Sequence, residues 1–255
     1  MTLEDAVVVV TGAGSGLGAR TAHHLAANRR MKAVLLDLPG SNAGELAARL
    51  GRDRALFLAT DVTDESVVAS AISQAREHWG RLDACVNVAG VPGTMRLLER
   101  DGSVPEGEVF ERTLRVNLLG TFHVMRHCAS AFARNPPEHG ERGVVVNVAS
   151  IAAFEGSRGH VAYAASKAGV VGMMLPAARE LAGWGIRVVT VAPGLFDTPM
   201  LHTIAPPTLD KMAASNLWPR RFGDADEFAG LVAHILENPY INAETIRIDG
   251  GARLA

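Results

Sequence analysis

Tyr163 and Lys167 stand four residues apart, and Ser150 precedes the tyrosine by thirteen. All three lie in or beside apolar stretches. Four residues is about one helical turn, so tyrosine and lysine would project from one face of a helix. A phenol with a pKa near ~10 is a poor base at neutral pH. An ammonium group one turn away favours the phenolate, and it is expected to bring that pKa down towards the working range. Ser150 closes the apolar run from Val144 and so sits at a strand end, where it could face Tyr163 across a carbonyl or an alcohol. The chemistry this set suits is proton transfer to or from an oxygen. Y-x-x-x-K alone is a weak signal, and a core aromatic beside a solvated lysine would read the same way.

The elements that must position these groups give the pattern its weight. Val7 to Val10 is a continuous apolar strand running into Thr11-Gly-Ala-Gly-Ser-Gly-Leu-Gly18, and a helix is expected from Ala19 to Asn28. Strand, glycine turn and helix together form a nucleotide-phosphate cradle. Gly12 permits the turn, Gly16 lets the backbone approach a pyrophosphate, and Gly18 lets the helix pack on the strand. The next strand, Ala33 to Leu36, ends at Asp37, whose carboxylate can accept from both ribose hydroxyls and repels a 2′-phosphate. That favours NAD over NADP. Asp61 could meet an adenine amino group, with Val62 packed on the ring. Small Ala89 and Gly90, after the strand from Ala84 to Val88, would let a cofactor pass close to the backbone.

Farther on, residues 91–107 turn polar and irregular, a surface excursion near the mouth of the site. One long helix is expected from about Glu108 to Asn135, with Asn117 inside it as a helix kink or a water anchor. The apolar stretch Val161 to Ala182 reads as a buried helix, Ile186 to Val191 as a strand, and 195–221, with Pro206, Pro207 and Pro219, as a loop and lid. Asp224 and Glu227 form a capping-box pattern at the start of a helix running to about Glu237. Thr245 to Ile248 closes the chain as an edge strand. Alternating strands and helices imply an α/β fold, a single-domain Rossmann-type doubly wound parallel sheet of about seven strands over residues 1–255.

Composition narrows the function classes. Hydrophobic residues make up 48% of the chain and charged ones 20%, at a net charge of −2, so no nucleic-acid or anionic-membrane partner is expected. No apolar run is judged long enough, at ~18 residues, to span a bilayer. The acidic start argues against a signal peptide, and two cysteines without a C-x-x-C partner suit a reducing, cytoplasmic location. His123 and His127 lack a third ligand, so no metal is expected. Helices apolar on more than one side, around Asn117 and Tyr163, suggest a homo-oligomer.

With these pieces placed, the chain from Val7 to Gly251 resembles the short-chain dehydrogenase/reductase family. The resemblance rests on T-G-x-x-x-G-x-G at 11–18, Asp61, Asn87-Val-Ala-Gly90, Asn117, Ser150, Tyr163-x-x-x-Lys167 and Pro193-Gly194. Leu35-Leu-Asp-Leu-Pro39, Ala152-Ala-Phe-Glu-Gly156, Ala192-Pro-Gly-Leu-Phe196 and Glu237-Asn-Pro239 are similar to the group of type-2 3-hydroxyacyl-CoA dehydrogenases. The resemblance implies Tyr163 as general acid/base, Ser150 on the substrate oxygen, and Lys167 on the tyrosine and the nicotinamide ribose. It also implies that Asn117 anchors a water. Cofactor contacts would come from Ser15, Leu17, Asp37, Asp61, Val62, Asn87, Val88, Pro193, Phe196 and Thr198, and a homotetramer is the implied assembly. Val88 departs from the family's second asparagine. Arg158, His160 and Asp197 depart on the substrate side, with His160 near the substrate itself. The expected activity is NAD-dependent interconversion of 3-hydroxyacyl-CoA and 3-oxoacyl-CoA. A hydroxysteroid or other small-alcohol dehydrogenase is the alternative, and a non-catalytic NAD-binding scaffold is the reading from another class.

Overall fold

In the computed structural model, residues 1–199, 201, 209 and 212–254 are described. Seven parallel strands form one sheet in the order β3-β2-β1-β4-β5-β6-β7. They are β1 (Val7–Thr11), β2 (Lys32–Asp37), β3 (Ala55–Ala59), β4 (Ala84–Asn87), β5 (Gly143–Val148), β6 (Ile186–Pro193) and β7 (Thr245–Ile248). The four central strands are buried at every residue, so they read as mostly apolar runs rather than alternating ones. The chain winds outward from β1 to β3 and then returns to place β4 on the other side of β1. That reversal opens a crevice beyond the carboxyl ends of β1 and β4, where open α/β sheets bind ligands.

Helices cover both faces. On one side α1 (Gly16–His23), the π-helical turn His24–Asn28 after it, α2 (Ala43–Leu50) and α7 (Ala225–Glu237) pack through Ala22, Leu25, Leu46, Phe228 and Val232. On the other, α3 (Glu65–Trp79), α5 (Thr121–Phe132) and α6 (Val161–Ala182) pack through Val68, Ile72, Val124, Phe132 and Met174. The single helix expected from Glu108 to Asn135 is broken. α4 (Glu108–Leu114) passes through a π-helical turn, Arg115–Gly120, before α5 begins. Such a turn inserts an extra residue between α-helical segments, and Asn117 sits inside it.

The α6 bounds match the sequence reading at both ends. The membrane reading does not hold as stated, because α6, with 22 residues and a mean hydropathy of 1.3, is long and apolar enough to cross a bilayer by length and composition. In the fold, Lys167, Val170, Met174 and Ala178 of this helix are buried in the protein. The 91–107 excursion is irregular as expected, and the Met95 N–H donates to the Gly159 carbonyl at 2.8 Å, pinning it to the entry of α6. Of the lid at 195–221, Pro206 and Pro207 lie outside the described residues.

Candidate active site

At the crevice, the turn after β1 depends on missing side chains. Gly12 has φ +66°, and a Cβ on it would come within 2.9 Å of the Ala89 backbone. Thr11 completes the join, its hydroxyl accepting from the Val88 and Ala89 N–H groups at 3.0 and 3.1 Å. Sequence reasoning had not assigned Thr11 a role, although its position directly before the glycine turn was the available signal. Ser15 occupies the N-cap position of α1 in extended backbone but makes no side-chain cap, and the first turn holds no acidic residue. The helix therefore opens on the crevice with uncapped N–H groups and the positive end of its dipole.

Asp37 ends β2 beside this loop. Its Oδ2 accepts from the Gly14 N–H and its Oδ1 from the Leu38 N–H, both at 2.7 Å, which holds the carboxylate in one orientation. Gly14 was another unassigned residue; a Cβ there would lie 2.9 Å from that Oδ2. Asp61 Oδ1 accepts from the Thr63 amide at 2.9 Å and from its hydroxyl at 2.8 Å. Val62 is buried against Gly120, and its carbonyl lies 3.2 Å from His123 Nδ1.

The catalytic candidates come together as expected. Ser150 caps the short 3-10 turn Ile151–Ala153, its Oγ accepting from the Ala152 N–H at 3.1 Å, and it is near enough to Tyr163 to act on its titration. Lys167 is buried, donates from Nζ to the Val148 carbonyl at 2.8 Å, and lies 5.8 Å from the Tyr163 ring centroid. The expected lowering of the tyrosine pKa is not seen. Burial raises Tyr163 above the ordinary phenol value, with only the neighbouring Ser150 pulling it down. Burial likewise pushes Lys167 down to about 8. Both shifts have one cause, since enclosure in protein disfavours whichever form is charged.

Asn117 binds the start of the excursion rather than standing free. Its Oδ1 accepts from the Val91 N–H at 2.8 Å, and its Nδ2 donates to the Val91 carbonyl and to Ser166 Oγ, both at 3.0 Å. Ser166 in turn donates to the Tyr163 carbonyl at 2.7 Å. Both amide hydrogens of Asn117 are thus committed, which leaves any water to its oxygens. A Cβ on Gly90 would lie 3.2 Å from Asn117 Oδ1 and 3.5 Å from Lys167 Nζ, so the backbone and these two candidate groups meet there.

Other sequence-assigned residues have mixed placements. Asn87 donates to Asn147 Oδ1 at 2.9 Å in the sheet interior, so only its backbone faces the crevice turn with Val88, Ala89 and Gly90. Leu17 is partly buried against the core. Phe196 is a core ring, 6.1 Å from Phe228 and edge-on to it. Thr198 does reach the glycine loop, its methyl 3.5 Å from where a Gly16 side chain would begin. Pro193 ends β6, and the Gly194 N–H after it donates to the Ile248 carbonyl at 2.9 Å. His160 sits at the N-cap position of α6, one turn before Tyr163, with Nδ1 3.0 Å from Ser157 Oγ. Arg158 is exposed. Among the described residues no group of three or more His, Cys, Asp or Glu could hold a metal ion.

The sheet order, the glycine crevice and the serine–tyrosine–lysine cluster define a nucleotide-dependent oxidoreductase. A family model for short chain dehydrogenases matches residues 6–208, and the chain belongs to that family. It is 45% identical over 255 residues to the 3-hydroxyacyl-CoA dehydrogenase type-2 of Rattus norvegicus, covering 99% of this chain and 97% of the rat protein. The Drosophila melanogaster protein of the same name is also 45% identical, with 99% of each chain covered. A crystal structure of 3-hydroxyacyl-CoA dehydrogenase type-2 from Mycobacterium avium superposes with a TM-score of 0.92 at 40% identity, covering 100% of this chain and 99% of that one.

Proposed function

We propose that this enzyme interconverts 3-hydroxyacyl-CoA and 3-oxoacyl-CoA with NAD as the redox partner. The observation that carries the substrate is the full-length 45% identity to 3-hydroxyacyl-CoA dehydrogenases type-2. For the cofactor it is the Asp37 carboxylate, held by two backbone N–H groups beside the glycine loop, where a 2′-phosphate would meet like charge. The residues present fit a dinucleotide: the uncapped start of α1 suits a pyrophosphate, Asp37 a ribose diol, and the backbone at 87–90 a close approach. Bound there, the nicotinamide supplies the hydride acceptor or donor.

The protein's own part is to orient and to move a proton. Ser150 is the side chain that acts on the Tyr163 hydroxyl, so one substrate oxygen can be held by both. Because burial keeps Tyr163 protonated at neutral pH, its hydroxyl is ready to donate to a ketone oxygen. In the reverse direction the phenolate takes the alcohol proton. The Lys167 ammonium, held at the Val148 carbonyl and 5.8 Å from the tyrosine ring centroid, can hold a ribose hydroxyl beside that oxygen. The apolar side chains exposed along the π turn, α5 and α6, among them Leu119, Phe122 and Leu175, support self-association, and we propose a homotetramer in the cytoplasm. Light scattering and cell fractionation test those two points.

The activity test is nicotinamide absorbance with acetoacetyl-CoA, beside a steroid ketone and a plain β-keto ester. Turnover confined to the CoA thioester supports the reading, and preference for the steroid or the ester discards it. Tyr163→Phe should lower turnover by about a thousandfold while leaving NADH binding, followed by fluorescence, nearly intact.

A further inference from the structure

Four charged side chains, Glu155, Arg247, Asp249 and Arg253, converge behind the Ser150 turn. Arg247, on the edge strand β7, is the centre. Its Nη1 meets Glu155 Oε1 at 2.8 Å, its Nε and Nη2 both meet Asp249 Oδ2 at 2.8 Å, and Nη2 also donates to the Ala252 carbonyl at 3.2 Å. The guanidinium lies 5.6 Å from the Phe154 ring centroid. Glu155 further accepts from the Leu254 N–H at 3.1 Å and faces Arg253 Nε at 3.4 Å. Side-chain exposures of 27% for Arg247, 21% for Glu155 and 11% for Asp249 set this group apart from a surface pair such as Arg30–Glu4, at 66% and 60%. Partial burial and a fork geometry make such a group hold its shape, where an exposed pair would contribute little.

The two carboxylates belong to different turns. Glu155 ends the compact turn that begins at Ser150: the Ala153 N–H donates to the Ser150 carbonyl, and the Phe154 and Glu155 N–H groups donate to the Ile151 carbonyl, all within 3.1 Å. Asp249 backs the turn after β6, since a Cβ on Gly194 would lie 2.7 Å from the Asp249 Cβ. From Gly194 the chain runs to Thr198, which covers Gly16. The β5–β6 pairing ends at Val148 and Val191, just before these turns part. Beyond that point the guanidinium spans them.

We propose that Arg247 is a positioning residue for the reaction, a strut that holds the Ser150 turn at a fixed separation from the turn covering the glycine loop. This rests on the reading of Ser150 and Tyr163 as the pair that holds the substrate oxygen. The strut acts through Ser150 and touches neither substrate nor cofactor.

The test is a pair of kinetic cycles on the full-length enzyme, with acetoacetyl-CoA and NADH. Arg247→Ala should lower kcat by on the order of tenfold to a hundredfold, as expected when a catalytic group is displaced by a fraction of an ångström to an ångström. In a Ser150→Ala background the same change should cost less than about twofold, because the group being positioned is gone. An equal loss in both backgrounds would show a general structural role and overturn the proposal. Glu155→Gln keeps the shape but drops the charge; it should give a smaller loss with the same non-additivity, and it decides the matter if Arg247→Ala does not fold. If Ser150→Ala itself costs no activity, the reading of Ser150 falls and the strut falls with it, a result distinct from equal losses.

Discussion

The helices α1 and α7 begin in opposite ways. At α7, Asp224 accepts from the Asp226 N–H at 2.9 Å, while Glu227 Oε2 reaches back to the Asp224 N–H at 2.8 Å, a complete capping box. Arg221 clamps the same Glu227 at 2.8 and 2.9 Å. At α1, Ser15 makes no cap, the first turn carries no carboxylate, and three glycines surround it. Helix α7 satisfies its own N–H groups, whereas α1 leaves them to something else. The difference teaches where to look for a ligand, because uncapped N–H groups at a helix start next to a sheet reversal are free to bind an anion.

The comparison breaks most sharply if α1 is made to resemble α7. Ser15→Asp should stabilise the free protein by about 0.5 kcal/mol as a better cap and weaken NADH binding by on the order of a hundredfold through charge repulsion. A melting curve and a fluorescence titration read the two effects. Unchanged NADH affinity would mean that the start of α1 does not hold the pyrophosphate. Next in size, Asp37→Ala should narrow the preference for NADH over NADPH by on the order of tenfold, measured as the ratio of kcat/KM values. An unaltered ratio would leave Asp37 as a turn residue that merely orders Gly14 and Leu38.

From the other side, Asp224→Ala should cost about 1 kcal/mol of stability and leave the KM for NADH where it was. A shift in KM would show that the two helix starts are coupled, through the Arg20–Asp226 ion pair that joins α1 to α7. The smallest effect is in pH. Arg221, followed by the Asp224 N–H, pulls the Glu227 carboxyl down to about 2. A depressed carboxylate contributes stability above its unfolded pKa of ~4.3, and the contribution is lost as pH falls towards the folded value. Glu227→Gln should therefore flatten the acid side of the stability profile between about pH 4 and pH 2. The group is half exposed, so the change should be only a few tenths of a kcal/mol. An unchanged acid limb would mean that solvent already screens the pair.

Much of the scaffold was legible because its signals are local. The apolar run ending in a glycine turn, the bounds of α6, and the Asp224/Glu227 box each lie within a single element, and the structure repeats them. Tyr163, Lys167 and Ser150 were also legible, since a four-residue spacing and a strand end define directions without reference to the rest of the fold. The π turn at 115–120 was not. Val91, which takes both the N–H and the C=O partners of Asn117, is 26 residues away, and no spacing along the chain announces that pairing. The same holds for Asn87, whose amide is taken by Asn147 60 residues on, and for Arg247 and Glu155, 92 residues apart.

By itself, then, the amino-acid order determined the strand and helix alternation, the glycine turn after β1, the spacing of the candidate set Ser150, Tyr163 and Lys167, and the acidic residue at the end of β2. These depend on periodicity, on the missing side chains of glycine, and on residues within one or two turns of each other. Only the tertiary structure decided how charged those groups are and what holds them. The tyrosine is raised and the lysine lowered because packed protein around them excludes water, and around Lys167 that enclosure draws on Val148 of β5, Gly90 after β4 and its own helix α6. A pKa depends on everything within several ångströms, and what lies that close is set by the fold rather than by neighbours in the chain.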